Sequence, residues 1–199
     1  MNSKTYFEFA ASIIETLESL DIQYALGGSF ASSLYGEARP TVDIDISIVL
    51  PEGEGMRFVE AIQKLGYVFL DSIVDAIIQD MPFNIIDATS GYKADIFLVK
   101  PTPLEQSVLA RCRRIVYDPA TNDTAVIYSP EDVIIYKLKY FLMGQSQKHL
   151  RDIAAMLAVQ GAALDYDYIA HWAREVGALE VWNRLLAEHQ RRSSQSPLA

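Results

Sequence analysis

Residues Val42-Asp43-Ile44-Asp45-Ile46-Ser47-Ile48 alternate without a break between apolar β-branched side chains and polar ones. A period of two sends successive side chains to opposite faces of a pleated strand. Residues 42–50 are therefore expected to form a strand, with Val42, Ile44, Ile46 and Ile48 on one face and Asp43, Asp45 and Ser47 on the other. Pro51 and the glycines after it end the run. A strand with one wholly apolar face has to lie in a sheet and be covered. Half of the 199 residues are hydrophobic, which is enough for a sizeable core.

The remaining elements follow from the same reading. Residues 5–20 carry Phe9, Ile13, Ile14, Leu17 and Leu20 at helical spacing. Residues 23–26 read as a short strand ending in Gly27-Gly28, and residues 29–35 as a short helix closed by Gly36. Residues 57–65 are expected to be helical. Residues 67–70 and 83–87 read as strands, and residues 92–99 as a further alternating strand. There Ala94, Ile96 and Leu98 oppose Lys93, Asp95 and Phe97. A helix over 103–110 and strands over 114–117 and 124–128 complete this part.

The pattern changes at Ser129-Pro130-Glu131-Asp132, which supplies a cap, a proline for the first helical position and acids for the first turn. Helices are expected over 130–143, 147–159, 165–177 and 179–190. The fold class is thus α/β (α+β), with a mixed α/β domain over 1–128, a helical region over 129–190 packed on it, and a flexible tail over 191–199.

Several function classes are excluded or disfavoured. The formal charge of −9 argues against nonspecific coating of nucleic acid or anionic membrane. A single cysteine, Cys112, permits no intramolecular disulfide and no cysteine-based zinc site. No run reaches the ~20 apolar residues of a membrane helix, and the start of the chain lacks the apolar stretch of a signal peptide. A cytoplasmic protein is expected. There is no phosphate loop of the Walker type and no dinucleotide fingerprint, which disfavours kinase and dehydrogenase chemistry.

Two carboxylates at alternate strand positions project close together, and the usual remedy for their repulsion is a metal ion or a raised pKa. An exposed amphipathic strand would show the same two acids. Upstream, Gly27-Gly28-Ser29 allows close backbone approach, and the helix that follows offers free N–H groups to an anion. Asp95 adds a third carboxylate on a later strand. Three such groups suit Mg²⁺ (or Mn²⁺) shared with substrate phosphates.

Gly27-Gly28-Ser29, the lead-in Arg39-Pro40-Thr41, Asp43-Ile44-Asp45 and Asp95 together resemble the signature of the nucleotidyltransferase superfamily with the DNA polymerase beta-like fold. The resemblance implies a small mixed sheet with flanking helices and a C-terminal helical region. It also implies that the Gly-Ser turn binds a triphosphate and that Asp43, Asp45 and Asp95 bind metal. A second stretch, Glu131 to Lys137 with Ser146 and His149-Leu150-Arg151-Asp152-Ile153, is similar to AbiEii-type nucleotidyltransferase-like toxins. That likeness gives Lys137 and Asp152 roles at the active site. Lys137 would neutralise phosphate charge, and Asp152 would act as its ion-pair partner or as a base. Arg39 and Thr41 would hold phosphate or the loop before the two acids.

The expected activity is transfer of a nucleoside monophosphate from an NTP to an acceptor hydroxyl, with release of pyrophosphate. The acceptor is an RNA end, a protein side chain or a small molecule such as an antibiotic. Two alternatives stay open: a toxin acting with an antitoxin partner, and a nucleotide-binding or protein-interaction module without turnover.

Overall fold

The computed structural model describes residues 4–79 and 81–195. It is mixed α/β, and its described residues separate into two compact units, Met1–Phe30 with Pro40–Tyr128, and Ala31–Arg39 with Ser129–Ala199.

The first unit is built on a six-stranded mixed sheet. Its strands are β1 (Gln23–Leu26), β2 (Asp43–Val49), β3 (Phe83–Ile86), β4 (Lys93–Leu98), β5 (Arg113–Asp118) and β6 (Asp123–Ile127), in the order β3-β4-β2-β1-β6-β5. β2 runs antiparallel to β1 and parallel to β4. The alternation in β2 sets which way it faces. Ile44, Ile46 and Ile48 are wholly buried, and Ala94 and Ile96 of β4 and Ile85 of β3 line the same apolar layer. A slip of one residue would turn all of these to the polar side, so the register is strongly held.

Helix α1 (Tyr6–Ser19) covers part of this layer through Phe9, Ala10, Ile13, Ile14 and Leu17. Its start is a capping box: Thr5 Oγ1 accepts from the Glu8 N–H, while the Glu8 carboxylate accepts from the Thr5 N–H. α1 packs on β1 and on α3 (Gly55–Ile62), and α4 (Leu70–Gln79) packs on β3 and β4. Helix α2 (Gly28–Tyr35) leaves the end of β1, and α5 (Pro103–Arg111) joins β4 to β5.

Three sequence expectations need correction. Residues 67–70 do not form a strand: only Tyr67 makes a single bridge, to Ile86, and Leu70 opens α4. That helix was not foreseen. Val42 lies outside β2 and is 61 % exposed, because the strand's pairing begins at Asp43. The last helix runs to Gln195, past the expected start of a tail at Arg191, and residues 196–199 of that expected tail lie outside the described residues.

The second unit contains α6 (Pro130–Gly144), α7 (Gln147–Gln160), α8 (Tyr166–Glu175) and α9 (Leu179–Gln195). The start of α6 is fixed by Ser129, whose hydroxyl accepts from the Asp132 N–H and donates to the Asp132 carboxylate. Tyr168 of α8 donates its hydroxyl to the same buried carboxylate at 2.8 Å. Ile134, Ile135 and Leu138 of α6, Ile153, Met156 and Leu157 of α7, and Ile169 of α8 form this unit's core. Residues 31–39 join it through Gly36, where an added Cβ would lie 3.1 Å from the Met156 nitrogen, and through Gln160, which donates to the Tyr35 carbonyl.

Candidate active site

The polar face of β2 meets the polar face of β4 in parallel register. Asp45 stands opposite Asp95, and Asp43 stands opposite Lys93. Four ionisable side chains therefore project from one face of two adjacent strands. Their backbone positions follow directly from two alternating runs, with Ile44, Ile46 and Ile48 of one and Ala94 and Ile96 of the other buried beneath.

The turn after β1 closes on this group. The Gly27 N–H donates to the Asp45 carbonyl at 2.9 Å. Gly28 has φ +54°, and a Cβ added there would lie 1.7 Å from Asp45 Oδ2. Only glycine combines that backbone with that space. The Ser29 N–H, at the start of α2, points at Asp45 Oδ2 at a long 3.4 Å. The free N–H end of a helix favours an anion, and in this state the anion there is the protein's own carboxylate. Gly27, Gly28, Ser29, Asp43, Asp45 and Asp95 thus lie in one unit, on the polar face of β2 and β4 and in the turn beside it.

Asp43 is held from two further sides. Thr41 Oγ1 donates to the Asp43 carbonyl at 3.1 Å, and the Tyr6 hydroxyl donates to it at 3.3 Å. Thr41 therefore shapes the approach to β2. Burial, reinforced by the Asp45 and Asp43 charges, raises the Tyr6 phenol far above its ordinary value, so the ring stays neutral and its O–H remains a donor. The Tyr6 ring lies edge-on to Tyr92 and tilted against Phe30. Tyr6 was missed because nothing in its local sequence distinguishes it from a packing aromatic.

Lys93 was also missed as a site residue. Its ammonium lies 3.0 Å from Asp95 Oδ2 and 3.8 Å from Asp43 Oδ1. The hydrogen bond to Asp95 keeps it protonated above the ordinary lysine value, against the opposing effect of burial. The alternation that puts Lys93 on the face of Asp95 was visible, and its consequence is a cation seated between two of the three acids.

That observation tests whether the residues suit a divalent ion. Among the described residues, no group of three or more His, Cys, Asp or Glu side chains converges in this conformation so as to hold a metal. The donors are nevertheless all carboxylate oxygens on adjacent strands, and two of them already grip a positive charge. Oxygen donors of this kind suit a hard cation in chemistry.

The other expected site residues belong to the second unit, with its own ionic cluster. Arg39 donates through Nε and Nη2 to the two oxygens of Asp152, at 3.1 and 3.0 Å, a bidentate pairing. Lys137 donates to Asp152 Oδ2 at 2.6 Å. Lys137 is 4 % exposed. Burial opposes ionisation of Asp152, but the hydrogen bonds from Lys137 and Arg39 outweigh it and hold its carboxyl below the usual range. Beside them, burial and then the Lys137 charge push His149 below its ordinary value.

No family model matches the chain, and no curated protein matches it. Among solved structures, the chain is similar to the antibiotic-resistance factor ANT(2'')-Ia in solution, with a TM-score of 0.56 at 15 % identity, covering 92 % of this chain and 96 % of that one. A crystal structure of ANT(2")-Ia in complex with adenylyl-2"-tobramycin gives a TM-score of 0.55 at 14 % identity, covering 84 % and 94 %. The lincosamide antibiotic adenylyltransferase LnuA, lincomycin-bound, gives 0.53 at 15 % identity, covering 79 % of this chain and 99 % of that one. The chain has the nucleotidyltransferase fold.

Proposed function

We propose that this protein is a metal-dependent nucleotidyltransferase that moves a nucleoside monophosphate from an NTP to the hydroxyl of a small-molecule acceptor. One observation carries the reading: Asp45 and Asp95 face each other in register, beside a turn whose Gly28 leaves room for nothing larger than hydrogen against Asp45. That arrangement, on a nucleotidyltransferase fold, supports nucleotidyl transfer.

In this reading the N–H of Ser29 and the neighbouring backbone would receive phosphate oxygens in place of the Asp45 carboxylate. Asp43, Asp45 and Asp95 are the residues that would hold Mg²⁺ or Mn²⁺. When bound, the ion lowers the pKa of the acceptor hydroxyl and offsets charge on the leaving group. Asp95 takes the hydroxyl proton as the acceptor oxygen bonds to the α-phosphorus. The bond from the α-phosphorus to the bridging oxygen breaks, and its electron pair leaves with pyrophosphate. Thr41 and Tyr6 steady Asp43 through its carbonyl. Lys137 and Asp152 act as a buried ion pair, Asp152 holding the ammonium in place.

Two of the similar structures are described with an antibiotic or an adenylylated antibiotic bound, which supports a small hydroxylated acceptor. The charge of −9 supports it too, since RNA would be repelled. The test incubates the protein with each α-labelled NTP, Mg²⁺ or Mn²⁺, and separate pools of aminoglycosides, lincosamides, RNA and protein. Asp45→Asn and Asp95→Asn should each lower label transfer by at least about a hundredfold. Transfer that survives both changes would refute the assignment. Labelling of RNA or protein alone would overturn the small-molecule acceptor and favour the toxin-like alternative.

A further inference from the structure

Three acidic side chains on one sheet face repel one another, and a neighbouring cation relieves that repulsion. Here Lys93 does so. It comes from β4 itself, two residues before Asp95 and directly across from Asp43, and its ammonium bridges the two strands at 3.0 and 3.8 Å. Lys93 remains 34 % exposed, so its flexible side chain has open solvent to move into. A lysine carries one compact positive charge on a long stem, and a divalent cation would compete for the same oxygens with twice the charge.

We propose that Lys93 is an internal counter-ion that holds Asp43 and Asp95 in place until a divalent cation displaces it. The proposal rests on the metal-dependent reading above. It gives the site two stand-ins: the Lys93 ammonium where a cation is expected, and the Asp45 carboxylate at the Ser29 N–H where a phosphate is expected. Displacing Lys93 costs an ion pair, so the metal alone binds weakly, and a nucleotide that brings further phosphate charge makes its entry favourable. Lys93 is a positioning residue in this scheme: it acts through the carboxylates and touches neither reactant.

The experiment measures Mn²⁺ binding by electron paramagnetic resonance on the full chain, without nucleotide and then with a non-hydrolysable NTP analogue. In parallel, acylation of each lysine by an amine-reactive reagent is followed by mass spectrometry. Lys93→Met is expected to bind Mn²⁺ alone at least about tenfold more tightly than the unmodified protein. Lys93→Arg, which keeps the charge, should show no such gain. Labelling of Lys93 in the unmodified protein should rise several-fold when Mn²⁺ and the analogue are added, while that of Lys148 stays constant. Mn²⁺ binding that is lost in Asp45→Asn, yet equal in Lys93→Met and the unmodified protein with no change in Lys93 labelling, would overturn the counter-ion role and leave the metal-dependent reading standing. Failure of every form to bind Mn²⁺, with or without the analogue, would overturn both.

Discussion

An L-residue at position 28 would face two separate penalties. The backbone there has φ +54°, and a Cβ would sit 1.7 Å from Asp45 Oδ2. Gly91 offers a comparison at the same scale. Its φ is +76°, but nothing lies within 4 Å of its Cβ position. Both alanine variants carry a left-handed backbone penalty of about 1 kcal/mol. Gly28→Ala also has to push the Asp45 carboxylate away from the Ser29 N–H, so its total cost should reach about 2–3 kcal/mol. Thermal unfolding with calorimetry should therefore rank Gly28→Ala well below Gly91→Ala, and nucleotide titration should show binding lost only in Gly28→Ala. If both variants melt together and both bind nucleotide normally, the turn is not fitted to Asp45 in the way its geometry indicates.

At the scale of the element, the Arg39–Asp152–Lys137 cluster joins α6, α7 and the segment before β2. Asp152→Asn would leave the Lys137 ammonium buried without its countercharge, which costs about 3–5 kcal/mol. Lys137→Met combined with Asp152→Leu should recover most of that loss, because Arg39 is 31 % exposed and can turn to water. The pH dependence has a definite sign. The Asp152 carboxyl lies below its ordinary value in the native state, so its stabilising effect is complete above the unfolded value of about 4. The effect fades as pH falls from there through the lower native value. Denaturant midpoints measured down that range should fall more steeply for the unmodified protein than for Asp152→Asn. Parallel curves would remove the cluster from the account. Lys137→Arg separates the two roles of the lysine: a stable protein that has lost turnover assigns it to the transfer, and an unstable one to the core.

Elements were also where the sequence spoke most clearly. Alternation in residues 42–50 and 92–99 yielded β2, β4 and their faces, since period two has one structural meaning once one face is apolar. Ser129-Pro130 marked the start of α6 because cap and proline chemistry are local. That Asp43, Asp45 and Asp95 share one sheet face required only that β2 and β4 be neighbours. Helix α4 escaped notice because its aromatic lead-in, Tyr67 and Phe69, looks like a strand, and tertiary packing on β3 and β4 decided otherwise. Tyr6 and the bridging of Lys93 escaped because they depend on side-chain contacts across strands and helices distant in the chain, which no local pattern encodes.

For the molecule as a whole, the dominant quantity is its charge: 26 acidic residues against 17 lysines and arginines. A field of that sign draws cations towards the surface and repels polyanions, and salt shortens its reach from about 10 Å at 0.1 M to about 3 Å at 1 M. The identity of the acceptor can therefore be read from ionic strength before it is known chemically. With NTP and Mg²⁺ held saturating, so that their own electrostatics drop out, a polycationic acceptor such as an aminoglycoside should lose kcat/KM several-fold as salt rises from about 0.05 M to about 0.5 M. The loss should fall on KM, because encounter and not chemistry is being screened. A neutral hydroxylated acceptor should give a flat profile, and an RNA acceptor should improve as repulsion is screened. A rising profile would count against the small-molecule acceptor even if transfer itself were abolished by Asp45→Asn, since that variant tests the transfer and the salt profile tests the acceptor.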